Sequence, residues 1–223
     1  MLSIFKTNAI NIKNVNKVIF SSKPFFDLRN KIKKKNAIII LDNFFKKKNK
    51  LISKIKKNNL IFYLPKDFEP TTDYIDGIVK EIKKRKNNFE LVVSIGGGST
   101  LDTGKSISNL LNNKGSSEKY QGWDLLKNRG VYKIGIPTLF GTGSEVTRTC
   151  VLMNKKKKLK LGMNSDFTVF DEIILSPDLC KTVNRNQYFF SGMDCFIHSF
   201  ESLTGKYKNT VANVYSHQTI DLC

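Results

Sequence analysis

Two short segments hold residue types that could do chemistry together. The first is Gly96-Gly97-Gly98-Ser99, which follows the apolar run Leu91–Ile95 and precedes a helix expected to begin near Thr100. Three glycines let a backbone approach an anion closely, and a helix N-terminus offers free N–H groups and a favourable dipole. A phosphate or pyrophosphate is the natural guest, and a plain glycine turn is the alternative. The second segment is Asp194-Cys195-Phe196-Ile197-His198. Its carboxylate and imidazole, four residues apart, share one helix face and suit zinc, ferrous iron or another divalent ion. Standing alone, such a pair is more often a surface or capping contact, and two ligands are too few for a metal site. Nothing around His217, the other histidine, makes it a ligand.

Two familiar phosphate templates nearly fit and fail. A dinucleotide fingerprint needs G-x-G-x-x-G, but Leu101 stands where the third glycine belongs. Gly104-Lys105-Ser106 matches the end of a P-loop, yet Ser99 occupies the place of its first glycine. Asp102 inside the loop would also set negative charge beside the anion.

Two further loops bear on the same guest. Asp42 directly follows Ala37–Leu41, and open parallel sheets bind ligands at the carboxyl ends of their strands. A carboxylate there can accept a ribose hydroxyl and repel a 2′-phosphate; a turn aspartate is the alternative. Pro137-Thr138-Leu139-Phe140-Gly141-Thr142-Gly143-Ser144-Glu145 also follows a strand-like run, and its hydroxyls suit a wall against a cofactor.

The elements that must position these groups follow from patterning. Ala37–Leu41, Leu60–Leu64 and Leu91–Ile95 are unalternated apolar runs, as strands buried on both faces should be. Tyr74, Ile75, Ile78, Val79 and Ile82 form a helical stripe, with Asp73 near its positive end and Lys83, Lys84 and Arg85 near its negative end. The order strand, helix, strand, helix, strand implies parallel strands with right-handed crossovers. Lys133–Pro137 predicts another strand, Val146–Met153 and Leu159–Met163 a lysine-tipped hairpin, and Thr168–Leu175 one more strand. From about Asn186 the pattern turns helical, and it stops at Cys223 inside an amphipathic stretch of Val211, Val214, Tyr215 and Ile220.

Composition narrows the function classes. The 223 residues carry 38 Lys and Arg against 19 Asp and Glu, a formal charge of +19. That charge raises nucleic acid or an anionic membrane as a partner. Only Arg29, Arg85, Arg129, Arg148 and Arg185 are arginines, however, and the lysines sit among Asn and Ile in runs such as Lys46–Lys48, Lys54–Lys57 and Lys155–Lys158. Base reading favours arginine forks, so the charge reads as a solvated surface. No apolar stretch approaches the roughly 18 residues of a membrane span. Met1–Ile12 lacks the apolar core of a secretory signal. Cys150, Cys180, Cys195 and Cys223 are far apart without a CxxC pair, against both a disulfide framework and a cysteine zinc site. A reducing cytoplasm is the expected compartment.

Four blocks, in this order, resemble the iron-containing (group III) alcohol dehydrogenases: Gly96–Lys105, Pro137–Glu145, Lys160 before Leu-Gly, and Gly192–Glu201. Within that family, Tyr120–Asp124, Leu161–Asp166, Thr168–Asp171 and Gly192–Cys195 are most similar to the 3-deoxy-manno-octulosonate (Kdo) 8-oxidase branch. That branch oxidises the terminal alcohol of a sugar acid to an aldehyde. The resemblance implies an α/β fold: a Rossmann-like parallel-sheet domain over residues 1–184, then the beginning of an all-helical metal-binding domain over 185–223. It implies NAD as cofactor. The triple-glycine loop (Gly97, Gly98, Ser99), with Asp102, would hold the pyrophosphate. Asp42 would hold the adenosine ribose and select NAD over NADP, and Thr138, Thr142, Val151 and Lys160 would line the cleft.

It also implies a divalent metal, iron or zinc, with Asp194 and His198 as two of four protein ligands. The other two are histidines on later helices, so the chain is expected to be truncated at its C-terminus. The metal acts as a Lewis acid on the alkoxide while hydride leaves for the nicotinamide, and no protein nucleophile is needed. The partner is then a small alcohol or sugar acid, not nucleic acid or membrane, with a homo-oligomer left open. Two other readings stand: a phosphate-substrate member of the dehydroquinate-synthase-like superfamily, and a non-catalytic nucleotide-binding fragment. Three residues depart from the family pattern. Gly104 replaces a common alanine and should loosen its helix by about 1 kcal/mol. Phe140 is bulkier than usual, and Glu69 would add charge near the adenine side.

Overall fold

The computed structural model describes residues 13–48, 52–53, 55, 59–85, 87–206 and 209–223. The Met1–Ile12 segment lies outside the described residues, as does part of the helix expected between the first two predicted strands. What is described there is a 3-10 turn at Asn43–Lys47, followed by the buried side chains of Ile52 and Ile55.

In chain order the elements are β1 (Lys17–Phe20), α1 (Pro24–Ile32), β2 (Ala37–Leu41), β3 (Leu60–Tyr63), α2 (Thr72–Lys84), β4 (Leu91–Gly96) and α3 (Gly98–Asn112). There follow β5 (Gly122–Trp123), β6 (Tyr132–Pro137), β7 (Thr149–Asn154), β8 (Leu159–Asn164), β9 (Glu172–Leu175), α4 (Arg185–Thr204) and α5 (Thr210–Leu222). Six strands form one parallel sheet in the order β1-β9-β6-β4-β2-β3. The fold is α/β, as the apolar runs require.

Every residue of β2 and β4 is buried, because both faces of the sheet are covered. Ile39, Leu41, Val93 and Ile95 pack with Phe25 and Leu28 of α1 on one side. Ile38, Ile40 and Val92 pack with Ile75, Ile78, Val79 and Ile82 of α2, and with Ile107 and Leu110 of α3, on the other. Each such side chain contributes about 1.5–3 kcal/mol on burial. Thr71 caps α2 through its side chain, 3.3 Å from Tyr74 N.

Strand β3 lies on one side of β2 and β4 on the other. The sheet therefore reverses its order between β2 and β4, which leaves a crevice at their carboxyl ends. Leu41 is in register with Ile95, and Asp42 N donates to Ile95 O at 3.0 Å. Asp42 and the triple-glycine loop are thereby neighbours.

The lysine-tipped hairpin is present as β7 and β8, paired antiparallel, with β5 beside β8. Its strand starts at Thr149 rather than Val146. The segment predicted as a strand over 168–175 is strand only from Glu172, because Ser165 accepts from Phe167 N and caps a 3-10 turn at Asp166–Thr168. Strand β1 and helix α1 had no reading in the sequence; the apolar run Val18-Ile19-Phe20 is only three residues long, and in the structure Ile19 is partly covered while Val18 and Phe20 are exposed.

Helices α4 and α5 open on side-chain caps, Asn184 to Gln187 N and Asn209 to Val211 N and Ala212 N. They pack chiefly on each other. The stripe of Val211, Val214 and Tyr215 is exposed, as are Phe189, Phe190 and Phe200 of α4. Among the described residues no helix is long and apolar enough to cross a membrane.

Candidate functional site

A cleft of about 1020 Å³ opens at the carboxyl ends of β2, β3 and β4, walled by Asp42, Gly97, Gly98, Ser99, Leu139 and Thr142, with Phe68 beyond. A second, of about 840 Å³, contains Gly98, Ser99, Asp102, Thr142, Val151 and Lys160 together with Asp194 and His198. Gly98, Ser99 and Thr142 belong to both, so the clefts adjoin across the glycine loop. Thr138 faces a smaller side pocket of about 330 Å³ that also includes Asp42. Those eleven positions, spread from residue 42 to residue 198, thus come together at one end of the sheet.

Helix α3 begins at this junction. Gly97 is its N-cap and provides no side-chain cap, so the first turn presents backbone N–H groups to the cleft. That suits a pyrophosphate. Asp42 is half-buried, and its Oδ1 accepts from Phe44 N at 2.9 Å. The carboxylate caps the following turn and faces the cleft at once, so its two readings coexist.

Asp102 and Lys105, on consecutive turns of α3, tie the junction together. Asp102 Oδ1 accepts from Ser144 Oγ at 2.5 Å and Oδ2 from Val151 N at 3.0 Å. Burial pushes its carboxyl above the usual range, with Lys105, Ser144 and Val151 pulling the other way. Lys105 has no exposed surface. Its ammonium donates to Thr147 O at 3.0 Å, Thr147 Oγ1 at 3.1 Å and Thr149 O at 2.8 Å. Burial lowers its pKa, opposed chiefly by the Asp102 carboxylate. The pair clamps the start of β7 and the Gly143–Ser144 turn onto the glycine-loop helix.

Two of the departures acquire a structural reason. Gly104 faces Ser94 of β4, and a methyl group there would collide with Ser94 Oγ. The glycine is a close approach between helix and strand, not a loosened helix. The Phe140 ring meets Tyr188 of α4 edge-on at 5.2 Å. Beside it Gly141, at φ +112°, lies against the Ser191 carbonyl, where a Cβ has no room. Phe140 and Gly141 therefore dock α4 onto this loop. Glu69 departs from expectation: it lies in the second cleft and pairs with Lys160, because the Pro70 carbonyl is tied to Met153 N of β7 at 2.8 Å. The adenine-side charge assigned to it is not in the first cleft.

Asp194 Oδ1 and His198 Nδ1 stand 3.8 Å apart, both about half exposed. A carboxylate and an imidazole on one face, opening into a cleft, fit a divalent cation by chemistry. Among the described residues no group of three or more His, Cys, Asp or Glu is gathered to hold one. His217 is exposed on α5 and faces neither cleft.

Sequence reasoning missed Lys46, Lys47, Lys48 and Lys66 on the first cleft and Gln187 between that cleft and the side pocket. Lys46–Lys48 come four to six residues after Asp42 at the end of β2, and Lys66 comes three after the end of β3; their place after strand ends was the available signal.

The family model for iron-containing alcohol dehydrogenases matches residues 16–177. The chain belongs to that family. Its matched span holds the glycine loop and the hairpin, while α4 lies beyond it. The chain is 34% identical over 160 residues to the sulfoacetaldehyde reductase of Bilophila wadsworthia, covering 72% of this chain and 41% of that protein. An alcohol dehydrogenase from Oenococcus oeni has the same fold with a TM-score of 0.82 at 22% identity, over 93% of this chain and 56% of its own. The sulfoacetaldehyde reductase from Bifidobacterium kashiwanohense, solved in complex with NAD+, gives 0.75 at 25% identity, over 86% and 52%. The chain thus spans about two-fifths of the length of its curated family relative and a little over half of the solved members.

Proposed function

We propose that the protein is a metal-dependent, NAD-linked alcohol oxidoreductase. The observation that carries this reading is the shared boundary of the two clefts: Gly98, Ser99 and Thr142 separate the Asp42 side from the Asp194 and His198 side. A dinucleotide lying across the glycine loop would have its adenosine end at Asp42 and its nicotinamide end facing the carboxylate–imidazole pair.

Each residue then has a role. Residues 1–184 form the dinucleotide-binding unit, and 185–223 bring the metal-binding pair. Backbone N–H groups of Gly97, Gly98 and Ser99 bind the pyrophosphate. Asp42 accepts a ribose hydroxyl. Thr138 and Thr142 flank the phosphates, while Val151 and Lys160 wall the nicotinamide side. Asp102 fixes Val151 against the glycine loop. Asp194 and His198 would hold a divalent cation, iron or zinc, which supplies Lewis acidity to the alcohol oxygen as the nicotinamide accepts a hydride. Leu139 and the hairpin exclude water from the seam between the clefts.

The substrate class is a small alcohol or aldehyde; relatives at 33% identity are named for butanol and 1,3-propanediol, which carry no charge, and a substrate with an anionic group is the narrower choice. Sulfoacetaldehyde and 4-hydroxybutyrate, named for two relatives at 34% and 30% identity, both carry one. The terminal hydroxyl of a sugar acid, with C8 of 3-deoxy-manno-octulosonate as the specific choice, follows from the motif resemblance. The test is NAD+ reduction by the alcohols and NADH oxidation by the aldehyde among these substrates, before and after chelation and with Fe²⁺ or Zn²⁺ restored. Activity lost on chelation and recovered with metal is expected. Turnover indifferent to chelator overturns the metal role.

A second reading is favoured by the two-membered donor set: a nucleotide-binding module without turnover. NAD+ binding in calorimetry, with no hydride transfer to any of these substrates under added metal, would select it.

A further inference from the structure

We infer that Lys46, Lys47 and Lys48 form a 2′-phosphate subsite, so that the first cleft accepts NADP+ beside NAD+. This rests on the dinucleotide reading and departs from the expectation that Asp42 restricts the chain to NAD.

The ribose end of the crevice is the end of β2, where a carboxylate recognises a 2′-hydroxyl and a neighbouring cation accommodates a 2′-phosphate. Here the carboxylate and the cations come from one turn. Asp42 caps it, with Oδ1 occupied by Phe44 N at 2.9 Å. Phe45 anchors it in the core, 2% exposed and edge-on to Phe25 at 5.9 Å. With the turn fixed at both points, Lys46, Lys47 and Lys48 all face the cleft. Lys48 Nζ lies over the Phe44 ring at 5.2 Å, which limits its sweep. None of the three is ion-paired among the described residues, whereas Lys66 across the cleft is paired with Asp67 at 3.8 Å.

The charge balance decides the sign. Three ammonium groups face the Asp42 carboxylate, already engaged by a backbone N–H, while the cleft's other carboxylate, Asp67, is matched by Lys66. A phosphate monoester brings about 1.5–2 negative charges at neutral pH. Repulsion from Asp42 alone would exclude it; the lysines reverse that repulsion. Because they are solvated, the attraction weakens with salt, and NADP+ binding must be more salt-sensitive than NAD+ binding.

Calorimetry of the full chain with NAD+ and with NADP+ at low ionic strength tests this. The expected result is two affinities within about fivefold of each other. Replacing the trio (K46Q, K47Q, K48Q) should lower NADP+ affinity at least tenfold relative to NAD+. The same change at the exposed hairpin tip (K155Q, K157Q, K158Q) controls for net charge and should leave the ratio unmoved. NAD+ binding with NADP+ more than fiftyfold weaker overturns the inference and leaves the dinucleotide reading intact. So does an equal shift from both triple variants, or none from the first. Failure of both nucleotides to bind overturns the dinucleotide reading and the inference with it.

Discussion

The Asp102 carboxylate accepts the backbone N–H of Val151 at 3.0 Å, so a residue near the start of the glycine-loop helix fixes a strand 49 positions later. Its other oxygen holds Ser144 at 2.5 Å, and Lys105 one turn on holds Thr147 and Thr149. The floor between the two clefts is therefore a buried clamp built on the Asp102 carboxylate and the Lys105 ammonium.

Asp102→Asn presents an amide NH2 to one of two donors and should cost about 1–3 kcal/mol. Lys105→Met leaves the buried carboxylate uncompensated and should cost about 3–5 kcal/mol. The double variant should lose less than the sum, by roughly 0.5–3 kcal/mol. Urea midpoints of the four proteins measure the cycle; strict additivity would show that the two do not act as a unit.

Gly104→Ala should destabilise the protein although alanine is the better helix former by about 1 kcal/mol. The added methyl meets Ser94 Oγ, and overpacking a buried contact costs about 1–3 kcal/mol. Adding Ser94→Ala should recover part of the loss. A melting temperature raised by Gly104→Ala would remove the close approach as its reason.

Lys133 is buried, donates to Phe167 O at 2.8 Å, and has its pKa lowered by burial to about 8. Between about 8 and its ordinary 10.5 the unfolded chain binds the extra proton, so stability rises with pH through this group. Lys133→Met removes that dependence. Chemical denaturation at pH 7.5 and 10 should show wild type gaining on the variant at the higher pH; a constant gap would rule the linkage out.

His198→Ala, alone or with Asp194→Ala, should abolish bound divalent metal measured by elemental analysis and leave the NAD+ affinity within about threefold. The two side chains share only the second cleft with the glycine loop. Metal content unchanged by both substitutions would place the ion elsewhere.

How much was legible depended on where the information lies in the chain. Ala37–Leu41 and Leu91–Ile95 were readable as strands because strands covered on both faces must be apolar throughout. That Asp42 would neighbour Gly97, Gly98 and Ser99 was readable because each follows the carboxyl end of a parallel strand. Strand β1 left only the three-residue run Val18–Phe20, because an edge strand with Val18 and Phe20 exposed needs no longer apolar run. Glu69 was assigned to the wrong cleft because a residue between elements goes where its neighbour's hydrogen bond takes it, here Pro70 to Met153.

Local spacing by itself determined the chemistry available: an anion-seeking helix start, a carboxylate after a strand, and a carboxylate–imidazole pair on one helix face. Each depends only on residues within a few positions of one another. Tertiary structure decided which of these meet, that Asp102 and Lys105 clamp the hairpin, that Gly104 makes room for Ser94, and that three lysines of a biased composition face the first cleft. Those outcomes arise from strand order and helix docking, which bring distant segments into contact through packing that no local pattern encodes.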